Sequence, residues 1–148
     1  MMSEEAQSDK AFADGKNEGV DRILQMFVSI ANDNMVETGI TLNVGCCLVS
    51  GTMIGFKKYL EILFSDFAGG FRAEGLAEIA DAVEERARKA LQDIETEQDA
   101  KSSKPRYIHL KDARFFFGNE AVPHNRKVLW RGKLSAVEGF TIGVMSVS

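Results

Sequence analysis

The sequence predicts an α+β domain, an antiparallel sheet of about five strands packed by helices in the order α-β-β-α-α-β-β-β. Three observations predict it. Apolar residues switch between a helical period and strict alternation along the chain. The alternating runs are joined by short turns, which suit hairpins. The β-α-β rhythm of a parallel sheet is missing. The 148 residues are 45% hydrophobic and 27% charged, the mix of one ordinary globular domain.

Residues 1–16 are small, polar and acidic, and are predicted to be a disordered tail ahead of a single domain over residues 17–148. Asn17 is the expected N-cap of a first helix, in which Val20, Ile23, Leu24, Phe27, Ile30 and Ala31 recur at helical spacing. Asn32, Asp33 and Asn34 should end it. Ile40, Leu42 and Val44 then alternate with Thr41 and Asn43, and Gly45 turns the chain into a second strand over 46–54. Gly51 inside that strand marks a bulge or a bend.

Phe56, Tyr59, Leu60, Leu63 and Phe67 form the stripe of a second helix, with Gly69-Gly70 as its expected break. The next helix, over 74–95, carries Leu76, Ile79, Val83, Ala87, Leu91 and Ile94 on one face. That stripe is expected to pack on the sheet. Glu84 with Arg88 and Glu85 with Lys89 are spaced for i,i+4 ion pairs. Residues 96–106 read as a polar linker. The last third is β: a long strand from Tyr107 to Phe117, a loop over 118–126, a strand from Val128 to Leu134, and a final strand from Phe140 to Val147.

Catalytic motifs are wanting. The chain has no P-loop, dinucleotide fingerprint or nucleophile elbow, so no cofactor and no enzymatic activity are predicted. His109 lies mid-strand and reads as a residue of the more polar sheet face rather than a base. His124 falls in a polar loop. Cys46 and Cys47 are adjacent, lack metal-ligand spacing, and read as two small buried apolar residues in a reducing compartment. No run approaches the length of a bilayer span, so a cytoplasmic, non-membrane protein is expected.

Charge is the informative feature. Residues 1–100 hold 19 acidic and 9 basic side chains, and residues 101–148 hold 3 and 9, which together give the net charge of −4. Arg106, Lys111, Arg114, Arg126, Lys127, Arg131 and Lys133, with the aromatics Phe115, Phe116, Phe117 and Trp130 among them, form the candidate interaction surface. Its expected partner is the acidic part of another copy, on the 78–97 helix or the N-terminal tail. Basic residues interleaved with aromatics also allow a second reading, a small Sm-like or SH3-like barrel binding RNA or single-stranded DNA. The acidic overall charge makes nucleic acid the weaker expectation.

Four segments occur in a familiar order. They are Ile40-Thr41-Leu42-Asn43-Val44, Val49-Ser50-Gly51-Thr52-Met53-Ile54, Tyr107-Ile108-His109-Leu110-Lys111, and Trp130-Arg131-Gly132-Lys133-Leu134 with Val137-Glu138-Gly139-Phe140. Together they resemble the GvpU family of gas vesicle accessory proteins, over most of residues 20–147. The resemblance implies a non-catalytic cytoplasmic protein that associates with gas vesicles, the air-filled shells that give cells buoyancy. It also implies self-association that regulates vesicle clustering, with the vesicle shell or other gas vesicle proteins as partners.

Overall fold

The computed structural model describes residues 19–100 and 104–146, with side chains of the longest helix described through residue 93. The predicted tail 1–16, the predicted cap Asn17, the side chain of Ile94 and linker residues 101–103 lie outside the described residues.

Helix α1 (Arg22–Asn34) starts at Asp21, not Asn17. The Asp21 carboxylate accepts from the Ile23 and Leu24 amides at 2.9 and 3.2 Å, which satisfies two of the amides a helix start leaves bare. Strands β1 (Thr38–Val44) and β2 (Cys47–Ile54) form the expected hairpin, turned at Gly45 with φ +61°. Helices α2 (Phe56–Ala73) and α3 (Ala77–Ala100) follow, then β3 (Tyr107–Phe117), β4 (Glu120–Val122), β5 (Val128–Lys133), a 3-10 turn (Leu134–Ala136) and β6 (Gly139–Ile142). The sheet runs β4-β3-β2-β1-β6, all antiparallel, with β5 also on β3. It has six strands, the addition to the expected order being the three-residue β4. Among the described residues β5 and β6 do not pair with each other, so the sheet is open and not a barrel.

Alternation sorts the sheet into two faces. One face lies under α1. There Leu24, Val28 and Ala31 meet Ile40, Leu42, Val49, Met53, Ile108, Leu110, Ala113 and Leu134, all buried. Each large side chain removed from water here contributes about 1.5–3 kcal/mol. Phe27 packs edge-on against Phe140 at 5.9 Å. The other face receives the root of α2, where Tyr59 and Leu60 cover Ile54 with help from Phe56, Leu91 and Leu129.

The bulge foreseen at Gly51 is present, and the extra residue belongs to β3. Ser50 pairs with Arg114 and Thr52 with Lys111, so Gly51 faces two residues, Asp112 and Ala113. Asp112 takes φ +53°. A Cβ on Gly51 would lie 2.9 Å from the Lys111 carbonyl and 3.0 Å from the Ala113 Cα. Both are backbone atoms that cannot swing aside.

Four expectations need correction. Gly69-Gly70 does not break α2, which runs through both residues; a helical glycine costs only about 1 kcal/mol, and the packing of Ala68 against α3 offsets it. The break comes at Gly75, φ +79°, where Leu76 N–H reaches the Phe71 carbonyl and Gly75 N–H the Arg72 carbonyl, a Schellman ending. Of the described residues of the α3 stripe, only Leu91 joins the cluster over the sheet around Ile54. Ala80 and Ala87 are buried where α3 lies along α2, and Leu76 and Ile79 stay 40% and 45% exposed. The linker begins later than residue 96, because α3 continues to Ala100. Finally, β6 stops at Ile142 and not Val147. Gly143, φ +119°, kinks the chain, its N–H donating to Gly39 and its carbonyl accepting from the Thr41 hydroxyl, both at 2.8 Å. Met145 N–H then bonds the Ser50 hydroxyl at 2.7 Å.

Two glycine substitutions are expected to move stability in opposite directions in urea unfolding. Gly51→Ala should cost about 1–3 kcal/mol, since the backbone of β3 must shift. Gly69→Ala should add about 0.5–1 kcal/mol, since open space surrounds that site on an exposed helix.

Candidate interaction surface

The eleven residues of the expected surface divide by strand alternation. Phe115 and Trp130 point to the α1 face and pack on the main core. The Trp130 ring lies over Gly132, where no side chain could fit. Phe116 points to the opposite face and is only 5% exposed. Packing on the two faces thus takes up most of these aromatics, with Phe115 and Trp130 half-buried and Phe116 buried. Phe117, the last residue of β3, is 47% exposed.

The basic residues divide in the same way. Lys111 bonds Glu37 at 2.7 Å across the sheet. Arg114 is half-buried, its guanidinium 6.0 Å from the Phe116 ring centre. Arg131 lays its guanidinium 3.9 Å over the Tyr107 ring and 5.9 Å from Phe56. Arg106 is exposed, and its carbonyl accepts from Leu134 N–H at 2.9 Å. Arg126, Lys127 and Lys133 are exposed, and no described residue forms an ion pair with them. The structure thus leaves Arg106, Phe117, Arg126, Lys127 and Lys133 open, and ties down the rest.

His109 is not on a solvated polar face. It is 3% exposed beneath α2, its ring 4.4 Å from that of Tyr59 and 5.1 Å from that of Phe56. Its Nε2 accepts from Arg131 Nε at 3.1 Å, and its buried Nδ1 has no partner. Burial, then the Arg131 cation, lower its pKa to about 4. The imidazole is neutral at physiological pH and locks the α2 root to β3 and β5. His124 is exposed. Cys46 is exposed in the β1–β2 turn, against expectation, because it occupies a turn position outside the strand. Cys47 is half-buried, and burial followed by the neighbouring Cys46 raises its pKa. Among the described residues no group of three His, Cys, Asp or Glu side chains could hold a metal ion, and no helix is long and apolar enough to cross a membrane.

Two further surfaces escaped the sequence. A groove of about 500 Å³ opens beside β1 and β6, lined by Thr41, Asn43, Leu48, Thr141, Val144 and Met145. The second is the outer half of the α2–α3 hairpin. Phe56, Leu60, Leu63 and Phe67 follow at i, i+4, i+7 and i+11; the first two rest on the sheet, and Phe67 is 57% exposed. Phe71 meets Phe67 edge-on at 5.1 Å. Arg72 holds Asp81 and Glu84 at 3.0 and 2.8 Å, closing the hairpin. Glu84 is thereby drawn from the expected pairing with Arg88, which bonds Glu85 instead.

Burying His109 neutral links stability to pH. Its folded pKa lies below the unfolded value, so the unfolded state binds more protons between about pH 6.5 and pH 4. The contribution is complete above pH 6.5 and is lost as pH falls towards 4, on the order of 3 kcal/mol. Unfolding by urea across this range should show His109→Gln, which keeps an acceptor for Arg131, losing less stability than the parent chain.

No match was found among curated proteins or among solved structures. A family model described as Gas vesicle protein GvpU-like matches residues 21–145, from the α1 cap to the segment that crosses the sheet after β6. That span takes in both helix-covered faces and the basic edge, so the chain belongs to the GvpU-like family of gas vesicle proteins.

Proposed function

We propose that this protein is a non-catalytic accessory protein of the cytoplasm that attaches to gas vesicles and associates with itself, so that vesicles cluster. The observation that carries this reading is the family match over residues 21–145. Surface chemistry supports it. Open basic side chains lie in the last third of the chain, and carboxylates with no partner among the described residues lie on the helical hairpin. Exposed ion pairs contribute only about 0–1 kcal/mol each, so contacts built from them act through number and weaken with salt. A clustering agent of this kind needs a rigid domain that displays complementary patches. Two helix-covered sheet faces provide the rigidity.

Light scattering of purified protein mixed with gas vesicles, over a salt series, tests the reading. Clustering should fall as salt rises, and reversing Arg126, Lys127 and Lys133 to glutamate should weaken it. Clustering that grows steadily with salt and ignores these reversals would contradict it. The non-catalytic part has its own test. Cys46→Ser with Cys47→Ser, and separately His109→Gln, should leave the protein floating with the vesicle layer. A folded variant of either kind that no longer floats would contradict it.

A further inference from the structure

The outer end of the α2–α3 hairpin combines an apolar patch with free negative charge. Leu63, Phe67, Leu76 and Ile79 are all exposed there. Around them Asp66, Glu74 and Glu78 are exposed and have no described partner, whereas Asp81 and Glu84 share the single cation of Arg72. The patch is also continuous with an established contact. The side of α2 that begins on the sheet at Phe56 and Leu60 runs on as Leu63 and Phe67 with nothing over it. An 18-residue helix is about 27 Å long, so it outreaches the sheet surface that Tyr59 and Leu60 use.

The β3–β4 corner carries the complement. Val122 pairs with Phe115 and Glu120 with Phe117 on β3–β4, so Phe117 and Val122 are diagonal neighbours on one face. Both are exposed, at 47% and 37%. Arg126 and Lys127 follow directly in the connection to β5, exposed and unpaired among the described residues. Glu120 is the carboxylate at this corner. Each patch thus offers an apolar centre, one with an acidic rim and one with a basic rim.

We propose that the acid-rimmed end of the α2–α3 hairpin docks on the base-rimmed Phe117–Val122 corner of a second copy of this chain. The inference rests on the self-association proposed above and adds the surfaces and their polarity. A two-fold pairing of hairpin ends would set Asp66, Glu74 and Glu78 against their own copies, and like charge disfavours it. The head-to-tail contact matches charge at every junction. Because it uses two different patches, it leaves one of each free after every addition and gives open chains instead of closed dimers. Such chains span between vesicles.

The test is charge exchange, read by light scattering and sedimentation velocity of purified full-length protein without vesicles. The variants are Glu74→Lys with Glu78→Lys, and Arg126→Glu with Lys127→Glu. All four positions are exposed and have no ion-pair partner among the described residues, and circular dichroism checks that each variant is folded. Each variant alone should self-associate about tenfold more weakly than the parent chain. An equal mixture should recover most of the parent association, because both kinds of junction are then complementary. Phe67→Ser should weaken association without being rescued by either variant. A mixture no better than its components, or a reversed variant that associates like the parent, overturns the head-to-tail contact. If the parent chain associates and the mixture fails, this contact alone is lost; if the parent chain stays monomeric without vesicles, the self-association reading fails with it.

Discussion

Strand β3 must satisfy neighbours on both edges and both faces at once, and the rest of the fold is arranged around that demand. Along one edge it bonds β2 for most of its length; along the other it bonds β5 and then β4. Ile108, Leu110 and Ala113 are committed to the α1 core, and His109 and Phe116 to the opposite face. Between Leu110 and Ala113 the alternation slips by one residue, absorbed at Asp112 in a left-handed conformation, so Ala113 enters the core and Asp112 stays in water. Only a glycine at position 51 lets the bulged backbone lie so close. The local bend and the two-faced burial are therefore one constraint.

That constraint also decides where the helical hairpin stands. The root of α2 is fixed by Ile54, Tyr59 and Leu60, and by the neutral His109 held between two aromatic rings and the Arg131 guanidinium. Asn32 on α1 caps the other helix by accepting from Phe56 N–H at 2.9 Å, so both helical layers meet at one joint. Beyond that joint α3 has α2 as its main support, through small residues such as Ala80 and Ala87. The outer half is left with apolar side chains in water. Leu63, Phe67 and Ile79 are in neither core cluster and are exposed, a cost that the proposed docking would remove.

Much of this was legible in the residues. Alternation located β1, β2 and β5 to within a residue or two, and a long run rich in aromatics located β3. Gly51 announced the bulge. Residues whose fate depends on a distant partner were not legible. Leu76 and Ile79 have the spacing of a core stripe, and nothing local says that α3 packs mainly on α2. His109 looks like a polar-face histidine until Phe56 and Tyr59 of α2 cover it. Strand β4 is three residues inside a polar loop, too short for a period to register. Which charges stay open was legible only in part for the same reason: charge is readable from composition, but Lys111 and Arg131 are spent on Glu37, Tyr107 and His109, partners far along the chain.

The proposed contact between copies should show in the amides. Hydrogen exchange of the full chain, dilute and then in its self-associated state, reads every segment at once. The account predicts new protection confined to two stretches, residues 63–79 at the hairpin end and residues 117–127 at the sheet corner. Amides of β2 and β3, already closed on both edges, should not change. New protection centred on β6 and the groove beside Thr41 and Met145, with the hairpin end unaltered, would contradict it.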